Sequence, residues 1–295
     1  MSIDKKVAII GAGNGGFATA ADLGLRGFEI TLFELPAFEK NVKPLYAKPE
    51  LTVTGVYQGG VSLSKVTTDI ADALSDVKLV IVATNALAHK TLADIMVPHL
   101  REDHIVFIMP GNAGSLLFAN SARKKNIKLE ATLVETITLP YGCRKTGETS
   151  VNISRLLGRQ GLAAFPSDKN QEVLDVFNQI YPESFLLDNV LEVAISNSNL
   201  ILHPTPTLLS AARIEHSKGN FYLYKEAFTP AVLAVTDEMD MEVVRVKKAL
   251  GMSPVSHSEI FAKRYDIADF RAFIKEIIGP KGNKGPFEVS SRYIT

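Results

Sequence analysis

Two groups of residues in this chain have the types and spacing to do chemistry. The first is "VAIIGAGNGGFATAADL", where Gly11, Gly13 and Gly16 stand in G-x-G-x-x-G register between an apolar run and a helix-spaced one. Such a turn suits a pyrophosphate: Gly11 permits the tight turn, Gly13 lets backbone approach the phosphates, and Gly16 lets helix and strand pack closely. Backbone N–H groups around Asn14 and Gly15 then face an anion at a helix N-terminus, where the dipole favours it. Glu34 closes the next apolar run, placed to accept hydrogen bonds from adenosine ribose hydroxyls. No Arg or Lys follows it at once in "ELPAFEK", so NAD(H) is expected in preference to NADP(H). Asn85 in "TNA" and Asn112 in "PGNAG" end two further apolar runs, where ligands border open α/β sheets; ordinary turn chemistry explains both asparagines equally well.

The second group surrounds His203 in "NSNLILHPTPTLL" (197–209). Histidine titrates nearest neutrality and is the usual proton donor when hydride reduces a carbonyl or imine. Asn199 lies four residues earlier, on the same helix face. Pro204 ends or kinks that helix, because a residue before proline avoids the α region. By pattern alone, a proton-transferring His203 and a hydrogen-bonded core histidine stand level. His89, His99, His104, His216 and His257 read as residues of helices, helix ends, strand starts or loops. No Cys/His spacing suggests a metal site. Cys143 follows "LPYG" with no nearby histidine and reads as structural. Arg144 beside it suits a carboxylate or a solvated turn.

These residues need elements to hold them. "KVAII", "EITLFE", "LVIVAT" and "HIVFIMP" are near-continuous apolar runs alternating with helical stretches, the pattern of a parallel sheet buried on both faces. The fold class expected is α/β: an N-terminal Rossmann-type dinucleotide-binding domain with an extended sheet, then an all-α substrate domain. "LTVTGVYQGGVSLSKVTTD" (51–69) predicts an inserted antiparallel hairpin, and 131–139, 149–155 and 161–166 predict strands extending the sheet. From about residue 189 the texture is helical, over 189–202, 206–217, 230–250 and 256–278, with "TP" at 229–230 as a helix start. The domains expected are 1–187 and 188–295.

Lys+Arg and Asp+Glu both number 32, so no net charge favours nucleic acid or an anionic membrane as partner. One cysteine forms no intrachain disulfide, no apolar stretch reaches membrane-helix length, and the N-terminus lacks a signal-peptide core. A cytoplasmic protein acting on small molecules is expected. The strand-like end "SSRYIT" leaves a homodimer open.

"ETITLPYGCR" (135–144), "NSNLILHPTPTLL" (197–209), "GNFYLYKEAFTPAVLAVTDEMDME" (219–242) and "RYIT" (292–295) resemble the opine dehydrogenases, the octopine/nopaline dehydrogenase family. With the glycine turn, the resemblance spans nearly the whole chain. It implies NAD(P)H-dependent reductive condensation of an amino acid with a 2-oxo acid such as pyruvate, giving a secondary-amine dicarboxylate. It also implies that His203 is the acid/base and that Arg292 binds a substrate carboxylate, with Asn199, Arg144 and Arg213 as further candidates. The family motif continues R-Y-x-T-E-D, and its aspartate partners the histidine. This sequence stops at Thr295, two residues short. The expectation is a truncated chain, a substitute carboxylate (Glu226 or Asp240), or lost catalysis. Ala227 stands where a glycine is usual, a minor steric change. The alternatives are a reductase of a single 2-oxo or 2-hydroxy acid, and a catalytically dead NAD-binding sensor.

Overall fold

The computed structural model describes residues 4–157, 159–265, 267 and 271. The chain divides into two compact units, Met1–Ala194 and Ile195–Thr295. The described strands, all in the first unit, are β1 (Lys6–Ile10), β2 (Glu29–Phe33), β3 (Glu50–Gly55), β4 (Gly59–Ser62), β5 (Lys65–Thr67), β6 (Leu79–Val82), β7 (Ile105–Ile108), β8 (Thr132–Thr136), β9 (Tyr141–Lys145), β10 (Ser150–Leu156), β11 (Gly161–Phe165) and β12 (Phe185–Leu186). Its helices are α1 (Asn14–Leu25), α2 (Lys43–Ala47), α3 (Ile70–Leu74), α4 (His89–Met96), α5 (Gly114–Lys125) and α6 (Asn170–Asn178), and α7 (Val190–Ile195) runs to the division.

Eight strands form the main sheet in the order β12-β11-β8-β7-β6-β1-β2-β5. Pairing is parallel except between β8 and β11. Both faces are covered, which is why the strands are apolar without alternation. Val7 and Ile9 of β1 join a core with Phe17 of α1 and Phe177 of α6. Ala8 and Ile10 join a separate core with Leu92 of α4 and Phe118 of α5. The strand order reverses direction at β1 and β6, so the turns after these two strands flank a crevice at the carboxyl edge of the sheet.

The inserted hairpin does not stand alone. β3 and β4 pair with β10 and β9 in a second, four-stranded sheet of order β4-β3-β10-β9. The expected strand at 149–155 therefore builds this second sheet instead of extending the main one. Its alternating burial explains the difference, since Val151 and Ile153 are buried while their neighbours are not. A strand buried on one face belongs to a layer, not to a sheet interior. β5 leaves the hairpin to pair with β2 at the edge of the main sheet. Helix α1 lies under this second sheet and is buried continuously from Gly16 to Leu23. Val53, Val61, Val151 and Ile153 share its core.

The described regular elements of the second unit beyond α7 are all helical: α8 (Asn199–Leu202), α9 (Pro204–Leu209), α10 (Ala211–His216), α11 (Pro230–Ala249) and α12 (His257–Tyr265), with a π-helical turn at Leu223–Ala227. Leu202, Ile214, Phe221, Leu223, Phe228 and Phe261 form their core. The helices expected at 189–202 and 206–217 are each broken in two. Asn197 Oδ1 accepts from Asn199 N at 3.1 Å and starts α8, while Pro204 supplies the first residue of α9. Thr229 caps α11 by accepting from Val232 N at 3.3 Å, with Pro230 in the first turn. Ser256 and Glu259 cap α12 reciprocally, Ser256 N donating to Glu259 Oε2 at 2.8 Å and Glu259 N to Ser256 Oγ at 3.1 Å. The strand-like "FEVSSRYIT" lies outside the described residues.

Candidate active site

The glycine turn sits where the register places it, after β1 and at the start of α1. Gly11 has φ +105° and donates its N–H to Phe33 O at 2.8 Å, locking β1 to the end of β2. A Cβ on Gly16 would strike the Gly11 carbonyl, so only glycine lets α1 come this close. At Gly13 the situation is the reverse: a Cβ there would meet no protein atom within 4 Å. Gly13 is exposed, and the space over it is open to a ligand. With free amides at the start of a twelve-residue helix, this cradle fits a dinucleotide pyrophosphate.

Glu34 is only 7% exposed, and its carboxylate is already engaged. It accepts from Ala12 N at 3.1 Å, Leu35 N at 2.9 Å and Asn41 Nδ2 at 3.1 Å. Two of these donors are backbone and fixed; Asn41 is a side chain that a ribose hydroxyl can displace. Beyond Glu34 runs a largely apolar groove of about 880 Å³ lined by Leu35, Phe38, Ile70, Asn85, Leu87 and Ile95 among others. Its charged lining residue, Asp69, caps α3 by accepting from Ala71 N at 2.9 Å. The groove has the size and lining of a site for a flat apolar base.

Asn85 lines that groove, and its carbonyl accepts from Ala88 N at 3.1 Å. Asn112 lies in the turn after β7 at φ 50°. Buried Glu135 organises this turn, accepting from Ala113 N at 2.8 Å, Ser115 N at 2.9 Å and Ser115 Oγ at 2.5 Å. Burial raises its carboxyl above the ordinary range, against the pull of these three donors. Sequence reasoning missed Glu135, because its partners lie some twenty residues away across two strands. It also missed Lys145. The second sheet brings β9 onto the glycine turn: Lys145 N donates to Asn14 Oδ1 at 2.8 Å, and Cys143 Sγ donates to Asn14 O at 3.3 Å. Burial pushes the Cys143 thiol up to about 11, a structural cysteine and not a nucleophile. Arg144, between them, is exposed.

In the second unit, His203 ends α8 and begins α9, half-buried, its ring edge-on to Tyr224 with centroids 6.1 Å apart. Tyr224 stacks on Phe228 at 5.6 Å. Burial lowers the histidine below its ordinary value, which favours the neutral imidazole. Asn199 is exposed one turn earlier. Arg213 is ion-paired to Glu226 at 2.7 Å, and Glu226 also accepts from Tyr222 N at 2.9 Å. Asp240 is likewise committed: Oδ1 accepts from His257 N at 2.8 Å and lies 3.0 Å from His257 Nδ1, and Oδ2 accepts from Ser258 N at 3.1 Å. His257, read from the sequence as a helix-end or loop residue, is buried at the start of α12, where Asp240 engages its backbone N–H and Nδ1. Arg292 lies outside the described residues. Among the described residues, no group of three or more His, Cys, Asp or Glu side chains is arranged to hold a metal, and no helix is long and apolar enough to cross a membrane.

Comparison with known proteins meets this geometry. Residues 186–295 match the family model described as NAD/NADP octopine/nopaline dehydrogenase, alpha-helical domain. The chain is 27% identical over 292 residues to an opine dehydrogenase of Arthrobacter sp. (strain 1C), covering 98% of this chain and 80% of the relative. A vitopine synthase of Allorhizobium ampelinum is 23% identical, with 99% and 81% covered. Among solved structures, octopine dehydrogenase in complex with NADH and agmatine superposes with a TM-score of 0.69 at 19% identity, over 95% of this chain and 75% of that one. Fold and relatives together define the class, an NAD(P)-dependent oxidoreductase with a Rossmann unit followed by a helical one. The resemblance read from the sequence is borne out: the chain is similar to the opine dehydrogenases, and its residues 186–295 match the helical-domain model of that family.

Proposed function

We propose that this chain joins the amino group of an amino acid to a 2-oxo acid such as pyruvate and reduces the resulting imine to a secondary-amine dicarboxylate. The observation that carries this reading is His203, held half-buried at the α8–α9 break within the block that resembles the family's His-Pro motif. Condensation of amine and oxo acid releases one water. NADH, when bound, supplies the hydride that reduces the imine carbon.

The chain's own groups supply the rest. Gly11, Gly13, Asn14, Gly15 and Gly16 offer backbone amides and space to the pyrophosphate, Glu34 meets the ribose, and Asn85 and Asn112 border the cofactor from the neighbouring turns. His203 would take up a proton and, as the imidazolium, pass it to the imine nitrogen; in the reverse direction the neutral ring accepts it. Arg292 neutralises one substrate carboxylate, with Asn199 and Arg144 as further substrate contacts. NAD(H) is the favoured cofactor: none of the residues lining the groove is basic, which leaves a 2′-phosphate without a counter-charge there.

The test is product analysis with NADH deuterated at the transferable position, pyruvate and a pool of L-amino acids. A secondary-amine dicarboxylate carrying one deuterium on the former oxo carbon is expected. Deuterated lactate in its place would assign the chain to simple oxo-acid reduction.

A further inference from the structure

We propose that Lys145, carried by the inserted second sheet, is the counter-charge for the pyrophosphate of the bound dinucleotide. The inference deepens the dinucleotide-binding reading and rests on it. Its ground is the way β9 is fastened to the glycine turn. The Lys145 amide donates to Asn14 Oδ1 at 2.8 Å, and its Nζ lies 3.4 Å from Ala12 O. The ammonium stands 3.6 Å from the centroid of the Phe17 ring, in the first turns of α1. Main chain and side chain are thus both positioned by residues 12–17, the segment that forms the phosphate cradle.

The charge balance points the same way. Lys145 is half-buried and forms no ion pair among the described residues, and burial pulls its ammonium below its ordinary value. Glu34 and Glu148 act on it only at a distance. A carbonyl and an aromatic face hold a cation weakly. A phosphate oxygen in the cradle would give Nζ a charge-assisted hydrogen bond and repay its desolvation. Nζ approaches the carbonyl of Ala12, whereas Glu34, the ribose residue, takes the N–H of the same peptide unit's neighbour on the β2 side.

Binding of adenosine, ADP, NADH and NADPH to the full chain, measured calorimetrically for wild type, Lys145→Met and Lys145→Arg, tests this. Thermal unfolding of each variant accompanies the titrations. Lys145→Met should weaken ADP, NADH and NADPH alike by roughly 10-fold or more, leave adenosine unchanged, and flatten the salt dependence of ADP binding. Lys145→Arg should retain most of the affinity. Wild-type ADP affinity in a folded Lys145→Met would overturn the proposal. So would equal weakening of adenosine, or a loss confined to NADPH. Failure of the wild type itself to bind ADP and NADH would instead remove the dinucleotide reading, and this proposal with it.

Discussion

At the scale of single residues, the two buried carboxylates Glu135 and Asp240 do similar work in different units. Each gathers backbone donors at the start of a helix that local residues alone would leave unsatisfied. For Asp240, burial works to raise the carboxyl, but hydrogen bonds from the His257 ring and from His257 and Ser258 N–H outweigh it and hold it below its ordinary value. A carboxyl whose folded value is depressed contributes stability above its unfolded value and loses it as pH falls through the folded one. Stability of the second unit should therefore drop below about pH 4, and Asp240→Ala should remove about 3 kcal/mol at neutral pH by urea unfolding. An Asp240→Ala protein with wild-type stability would show the pair to be idle. For His203 the burial-lowered value sets the opposite kind of profile. In the oxidative direction the neutral ring must accept a proton, so the rate should rise with pH through a value below the ordinary 6.5 and then level. His203→Asn should cut kcat by ~10²- to 10⁴-fold while NADH binding persists. A profile that stays flat from pH 5 to 8 would remove His203 from the proton transfer.

At the scale of elements, the glycine turn offers a paired test. Gly16→Ala drives a Cβ into the Gly11 carbonyl and should lower stability together with NADH affinity. Gly13→Ala meets no protein atom, so stability should hold within about 0.5 kcal/mol while NADH affinity falls. Equal NADH affinity for Gly13→Ala and wild type would place the phosphates elsewhere. The second sheet is held to α1 by a buried polar knot in which Tyr141 Oη donates to Asp22 Oδ2 at 2.6 Å and meets Tyr181 Oη at 2.6 Å. Tyr141→Phe leaves Asp22 Oδ2 its Arg26 partner at 3.4 Å and should cost about 0.5–1.5 kcal/mol in denaturant unfolding. These elements also mark what the sequence reveals. The turn, the Thr-Pro start of α11 and the main-sheet strands are local patterns, and periodicity finds them. Membership of β10 in a second sheet, Glu34 engaged by Asn41, and Lys145 lying over Phe17 all depend on pairings between distant segments. No spacing rule encodes them. His203 was visible as a candidate but undecided by pattern, because burial and aromatic neighbours come only with the fold.

At the scale of the whole molecule, one unit carries the glycine turn, the engaged carboxylate of Glu34 and an apolar groove, and the other carries His203. Dinucleotide binding to the first unit should stabilise the protein by mass action, by roughly 2.7 kcal/mol at 100-fold excess of NADH over Kd. The central claim is reductive condensation, and the most direct measurement is NADH oxidation by the chain with pyruvate alone, L-amino acids alone, and both together. Oxidation only when both are present is the predicted result. Oxidation with pyruvate alone at the same rate, or none in any mixture despite NADH binding, would contradict it.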